Sequence, residues 1–237
     1  MNPTVIITGH SYGLGAALAA AWLETGACVI GLARSNNAAL AATHPGQLHE
    51  TAIDLADPPA VLAYTRSDAF RHTCQEADTL WLFNNAGTVA PSAPLGAQAD
   101  DDITHALNLN ITAPLLLANA TVDHARERVR IVHISSGAAR KPYPGWSIYG
   151  ASKAALDRHA ADAAAEGVRI VSLAPGVVDT AMQAGMRNDA AFPLREQFAA
   201  LHADGKLQSA SDTAAQILAY CQSDQFAREP IADIRTL

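Results

Sequence analysis

Short β-branched runs alternate with longer Ala- and Leu-rich stretches of helical period along the whole chain, and this alternation restricts the fold more than any other feature. Strands are expected at 4–8, 28–33, 49–54, 79–84, 130–135, 169–173 and, more briefly, 230–234. Helices are expected at 14–25, 58–74, 100–120, 149–165 and 211–221, the last with Ser211-Asp212 as its N-cap. Val5-Ile6-Ile7 and Val29-Ile30 are continuously apolar rather than alternating, as strands covered on both faces must be. The series therefore predicts an α/β protein built on a doubly wound parallel sheet of about seven strands with helices on both faces. Without a Gly/Ser linker, a charge block or an internal repeat, residues 1–237 read as one domain. The stretch 179–205 differs, mixing Gly185, Pro193, Phe192, Phe198 and several charges without clean period. It reads as a substrate lid or, alternatively, as a plain surface excursion.

Composition removes several function classes. A formal net charge of −7, with no runs of Lys or Arg, argues against nucleic acid or an anionic membrane as partner. Cys28, Cys74 and Cys221 are odd in number and far apart, with no CxxC or His/Cys metal spacing. The expectation is reduced thiols, no metal and a cytoplasmic location, since Met1-Asn2-Pro3 leads into strand one without a basic targeting region.

Strand one ends in Thr8-Gly9-His10-Ser11-Tyr12-Gly13-Leu14-Gly15 and runs into an Ala-rich helix. Glycines there let backbone N–H groups approach a pyrophosphate, and the helix N-terminus adds its positive end. A tight strand–helix turn without a ligand would carry the same three glycines; the position after a buried opening strand favours the phosphate reading. Strand two closes with Leu32-Ala33-Arg34-Ser35. An NAD site usually places Asp or Glu here to bond the ribose 2′-hydroxyl. Small, neutral Ala33 removes that repulsion of a 2′-phosphate, and Arg34 offers a bidentate fork unless it is only a solvated surface side chain. The reading is NADP, with Ser35 assisting. Asp54, with Leu55 beside it, either accepts from the adenine amino group or forms a turn.

At this point the residues match a family. Thr8-Gly-x-x-x-Gly-x-Gly15, Asn84-Asn85-Ala86-Gly87, Asn110, Ser136, Tyr149-x-x-x-Lys153 and Pro175-Gly176 stand in the order found in the short-chain dehydrogenase/reductases, which the chain resembles end to end. The resemblance implies a Rossmann-type fold and an active-site tetrad of Asn110, Ser136, Tyr149 and Lys153. Ser136 is preferred over Ser135 because the family usually places its serine thirteen residues before the tyrosine. It further implies that Gly9, Ser11, Tyr12, Gly13, Leu14, Gly15, Arg34, Ser35, Asp54, Leu55, Asn85, Ala86 and Gly87 line the adenosine and pyrophosphate side. Asn84 and Gly87 would shape its floor, while Pro175, Gly176, Val178 and Thr180 would meet the nicotinamide carboxamide. Elementary chemistry agrees with these roles. Tyr149 and Lys153 share one helix face, and a nearby ammonium, with an oxidised nicotinamide, brings a phenol from about 10 toward working pH. Ser136 would donate to the substrate carbonyl, and Asn110 would bond a water that relays protons to Lys153.

The second half is similar to a narrower branch, that of sepiapterin reductases and bacterial benzil reductases. The features are Gly145-Trp146, Asp179-Thr180-Ala181-Met182-Gln183, Gly205-Lys206-Leu207 and the stretch from Asp224-Gln225-Phe226 to Ala232-Asp233. That likeness implies an aspartate pterin anchor at Asp233, and it places Trp146 and Met182 beside the substrate, Trp146 stacking on a flat ring or packed in its loop. Tyr12 departs from many NADP-preferring relatives, which carry a basic residue there. The expected activity is NADPH-dependent reduction of a ketone or diketone; a regulator that senses NADP without turnover is the alternative, and the complete tetrad argues against it. The Ala-rich faces of 100–120 and 149–165 suggest a homodimer or homotetramer.

Overall fold

The fold, a computed structural model, describes residues 2–188 and 192–237. In chain order it runs β1 (Thr4–Thr8), α1 (Gly13–Glu24), β2 (Cys28–Ala33), α2 (Ala38–Thr43), β3 (Leu48–Ala52), α3 (Pro58–Thr65), α4 (Asp68–Glu76) and β4 (Leu80–Asn84). It continues with α5 (Asp100–Leu107), α6 (Ala113–Ala125), β5 (Val129–Ile134), α7 (Ser147–Ala165), β6 (Ile170–Ala174), α8 (Ala181–Asn188), α9 (Arg195–Ala203), α10 (Ala210–Gln222) and β7 (Ile231–Asp233). All seven strands join one parallel sheet in the order β3-β2-β1-β4-β5-β6-β7. The order reverses between β1 and β4, so a crevice opens beyond the carboxyl ends of those strands.

Alternate residues of one strand feed opposite cores, which explains the unbroken apolar runs. Val5 and Ile7 pack with Leu18, Trp22, Ile217 and Tyr220 from α1 and α10. Ile6 turns to the other side, toward Phe70, Leu117 and Ala160 from α4, α6 and α7. Both faces of the sheet are thus closed.

The boundaries expected from sequence shift where side chains cap the backbone. The stretch 58–74 is two helices, because Ser67 accepts from Phe70 N at 3.2 Å and starts α4. The cap of α10 is Ser209, not Ser211: its Oγ accepts from Asp212 N at 3.0 Å. The third strand ends at Ala52, which leaves Asp54 in the following loop. The segment 179–205 holds two helices, α8 and α9, with residues 189–191 outside the described part. The long helix expected at 100–120 reaches Ala125 and is interrupted by a π-turn at Asn108–Thr112. Pro114 has no N–H to give to the carbonyl of Asn110, four residues earlier, so the regular ladder breaks there.

Candidate active site

A cavity of about 490 Å³ lies at the β1/β4 crevice, and its two ends are chemically different. One end is the turn after β1. Gly9 and Gly13 adopt φ of +70° and +60°, which L side chains rarely take. A Cβ at Gly15 would stand 2.1 Å from the Gly9 carbonyl oxygen, so the turn closes only with glycine there. Behind it, Thr8 Oγ1 accepts from Asn85 N and Ala86 N at 2.9 Å each, and Asn85 Nδ2 donates to Thr8 O at 2.9 Å. The N-terminus of α1 has no side-chain cap and no acid in its first turn, which leaves its N–H groups open to an anion. These features fit a dinucleotide phosphate. Ser11, Tyr12, Leu14, Arg34, Ser35, Leu55, Ala86 and Gly87 also line the cavity. Asp54 lines it too, while its Oδ1 accepts from Ala56 N at 2.9 Å, so it serves the turn as well. Asn84 does not take the floor position expected of it: its amide donates to the Pro114 carbonyl and approaches His133 Nδ1 at 3.1 Å.

At the other end stand Ser136, Tyr149 and Lys153. The adjacent serines face apart. Ser135 is 2% exposed and donates to Asp157 Oδ1 at 2.7 Å, as does Ser172; Ser136 lines the cavity with Tyr149, and its Oγ accepts from Ala138 N at 3.1 Å. Lys153 lies 5.8 Å from the Tyr149 ring and donates to the Ile134 carbonyl at 2.8 Å. Asn110 is buried in the π-turn and does not line the cavity. Its amide bonds both backbone groups of Thr88 at 2.8 Å and donates to Ser152 Oγ at 3.1 Å. Pro114, four residues on, has no N–H to offer the Asn110 carbonyl.

The roof is aromatic. Trp146 is 6% exposed, stacks on Phe192 with centroids 5.0 Å apart and planes at 17°, and donates to Ser92 Oγ at 3.1 Å. One of its faces is therefore taken by the protein, and the packed-loop reading of Trp146 holds alongside its place in the cavity wall. Met182 lines the wall. Asp233 does not: Arg235 does, and it grips Asp233 with two bonds of 2.8 and 2.6 Å. The carboxylate is satisfied by that fork, which also holds its pKa below the ordinary range.

A family model, short chain dehydrogenase, matches residues 3–191. The chain belongs to that family. As a short-chain dehydrogenase it is an oxidoreductase of a nicotinamide-dependent fold. It is 33% identical to the Bacillus cereus benzil reductase ((S)-benzoin forming), covering 97% of this chain and 98% of that one. It is 32% identical to the sepiapterin reductase of Meriones unguiculatus, over 93% and 92% of the two chains. The crystal structure of a short chain dehydrogenase from Burkholderia cenocepacia in complex with NADP superposes with a TM-score of 0.77, at 27% identity over 98% and 95%.

Burial dominates the electrostatics of the protein groups in the cavity of this short-chain dehydrogenase. Burial dominates at Tyr149 and raises the phenol above its ordinary value, with the Ser136 hydrogen bond opposing. Burial likewise lowers Lys153 to about 8, with the Asp157 carboxylate opposing. With protein groups alone, the tyrosine keeps its proton. Arg235, Tyr143, Gln183 and Phe198 are cavity residues that sequence reasoning missed. No local pattern assigns them to the cavity: Tyr143 comes from the loop between β5 and α7, Gln183 from α8, Phe198 from α9 and Arg235 from the turn after β7.

Proposed function

We propose that this short-chain dehydrogenase reduces ketones or 1,2-diketones with NADPH, and that Tyr149 is the general acid. The observation that carries the reading is the buried Tyr149 phenol that lines, with Ser136 and Lys153, the cavity whose far end is the phosphate cradle. Small, buried Ala33 and exposed Arg34 beside that cradle support NADP over NAD, as does the NADP bound in the Burkholderia cenocepacia relative. NADPH supplies the hydride when bound. Ser136 donates to the carbonyl oxygen as charge gathers on it, and Tyr149 delivers the proton. Lys153 sets the charge beside the phenol, its ammonium held by the Ile134 carbonyl at 2.8 Å, and the Asp157 carboxylate, fixed by Ser135, Ser172 and Arg140, favours its charged form. The lid read from the sequence is supported by Met182, Gln183, Met186 and Phe198 of α8 and α9, which line the cavity. The benzil reductase relative supports a diketone substrate.

Mixing the protein with NADPH and a panel that includes benzil and sepiapterin, and following NADPH absorbance, tests the proposal. Oxidation of NADPH by the diketone is expected; no oxidation by any carbonyl would overturn it. Because the Asp233 carboxylate is occupied by Arg235, Asp233→Asn should change turnover of benzil and sepiapterin by the same factor. A selective loss with sepiapterin would restore Asp233 as a ring anchor.

The pH dependence follows from Lys153. Its ammonium is present below about 8 and lost above it, and carbonyl reduction consumes a proton. The value of kcat/KM for the carbonyl at saturating NADPH should therefore be level at lower pH and fall as pH rises through about 8. A profile flat to far higher pH would remove Lys153 from the proton path.

A further inference from the structure

From the geometry on the cofactor side we infer that Glu50 is a positioning residue, clamping the phosphate turn and the Arg34–Ser35 turn into one preformed NADPH seat. The inference rests on the dinucleotide reading of the cavity and adds a device that no cavity-lining residue supplies. Neither His10 nor Glu50 lines the cavity. His10, the second residue of the turn after β1, is fully buried, and its ring folds back over β2. It finds room there because residue 31 is glycine: a Cβ at that place would meet three ring atoms at 2.4–2.5 Å. Gly31 is the register partner of Glu50 on β3, so the ring that crosses Gly31 arrives directly at the carboxylate. His10 Nε2 donates to Glu50 Oε1 at 2.7 Å, and Nδ1 has no partner among the described residues. The imidazole is held by this one polar contact.

The same oxygen, Oε1, accepts from the backbone N–H of Asn37 at 2.5 Å. Asn37 closes the turn that carries Arg34 and Ser35, and its own side chain caps α2 at Leu40 N. One carboxylate oxygen therefore joins two loops that are far apart in sequence. On the cavity side of the joint the loops also touch, through Ser35 Oγ donating to Ser11 Oγ at 3.2 Å. That second bond is exposed and weak alone; the buried joint beneath is what sets the spacing. Since ordering loops on binding costs affinity, a seat assembled in advance binds the phosphate ribose more tightly without touching the hydride-transfer end.

The test is a titration of NADPH against wild type, His10→Ala, Glu50→Ala, the double variant and Glu50→Gln, with melting temperature and steady-state rates measured in parallel. Both single alanine variants should raise the NADPH dissociation constant about tenfold, the size expected for a lost buried hydrogen bond to a charged group. The double variant should be no worse than the weaker single, because both changes open one joint. Glu50→Gln keeps the accepting oxygen and should restore binding to within about threefold. Turnover at saturating NADPH and KM for the carbonyl should stay within about twofold throughout. If Glu50→Ala does not fold, Glu50→Asp, which withdraws the oxygen by one methylene, carries the same expectation. Unchanged NADPH affinity in the folded variants, additive losses, or a fall in turnover equal to the loss of affinity would overturn the clamp. Failure of wild type itself to bind NADPH would instead overturn the dinucleotide reading beneath it.

Discussion

Tyr149→Phe should lower carbonyl reduction by at least about 100-fold while NADPH still binds. The substitution removes one hydroxyl, and with it the proton that the proposed mechanism delivers. Phenylalanine preserves the ring, which packs at 5.1 Å edge-on to Trp146 and at 5.8 Å from Lys153 Nζ, so the aromatic roof and the lysine keep their places. The buried phenol is held in its protonated form by desolvation, which is the form an acid must have before transfer. General acid catalysis contributes roughly 10²–10⁴-fold, and the lower bound sets the expectation. The comparison needs two measurements: turnover with a carbonyl substrate, and NADPH affinity from a titration. A mutant that retained more than about a tenth of wild-type turnover would transfer the acid's role to another group. Loss of NADPH affinity in step with turnover would show that the phenol mainly supports cofactor binding.

The second large effect is on cofactor choice. Arg34→Ala should raise KM for NADPH roughly ten- to a hundredfold and leave KM for NADH nearly unchanged. Arg34 is exposed at the cavity edge just after β2, beside a buried Ala33 where NAD-specific folds place an acid. A hydrogen bond to a charged group contributes about 1.5–3 kcal/mol, which gives that range. Tyr12, 64% exposed, lies on the same cavity wall and carries no charge to share the load. The contribution of Arg34 should weaken as salt is raised, since the pair would be solvent-exposed. Equal weakening toward both cofactors would mean that Arg34 does not read the 2′-phosphate.

Much of this molecule is legible in one dimension because its constraints are local. The period of the apolar residues sets which face each strand and helix buries, so the layers follow from the sequence alone. The turn after β1 is legible for the same reason: Gly9, Gly13 and Gly15 each answer a backbone requirement within a few residues. Tyr149 and Lys153 are four apart on one helix, so their shared face needs no long-range information. The choice of Ser136 over Ser135 rested on family spacing; the fold adds the physical reason, since alternation at the end of β5 sends Ser135 to Asp157 and Ser136 into the cavity.

Other features depend on which distant segments meet, and only tertiary structure decides that. The carboxylate of Asp233 is taken by Arg235, two residues on, and it is the arginine that reaches the cavity. The sequence leaves Trp146 either to stack on a ligand or to pack in its loop, and the packing of 192–198 covers one face with Phe192. The rise of the Tyr149 phenol is likewise collective, because desolvation depends on every neighbour that excludes water and not on the lysine four residues along. His10, Gly31, Glu50 and Asn37 carry no motif in sequence. They become one joint because the register of β2 against β3 sets glycine beside glutamate, and the turn after β1 folds back across both. Local chemistry, written in the chain, determined the glycine turn and the tyrosine–lysine pair; the pairing of strands, which sums weak preferences over the whole sheet, decided what surrounds and holds those residues.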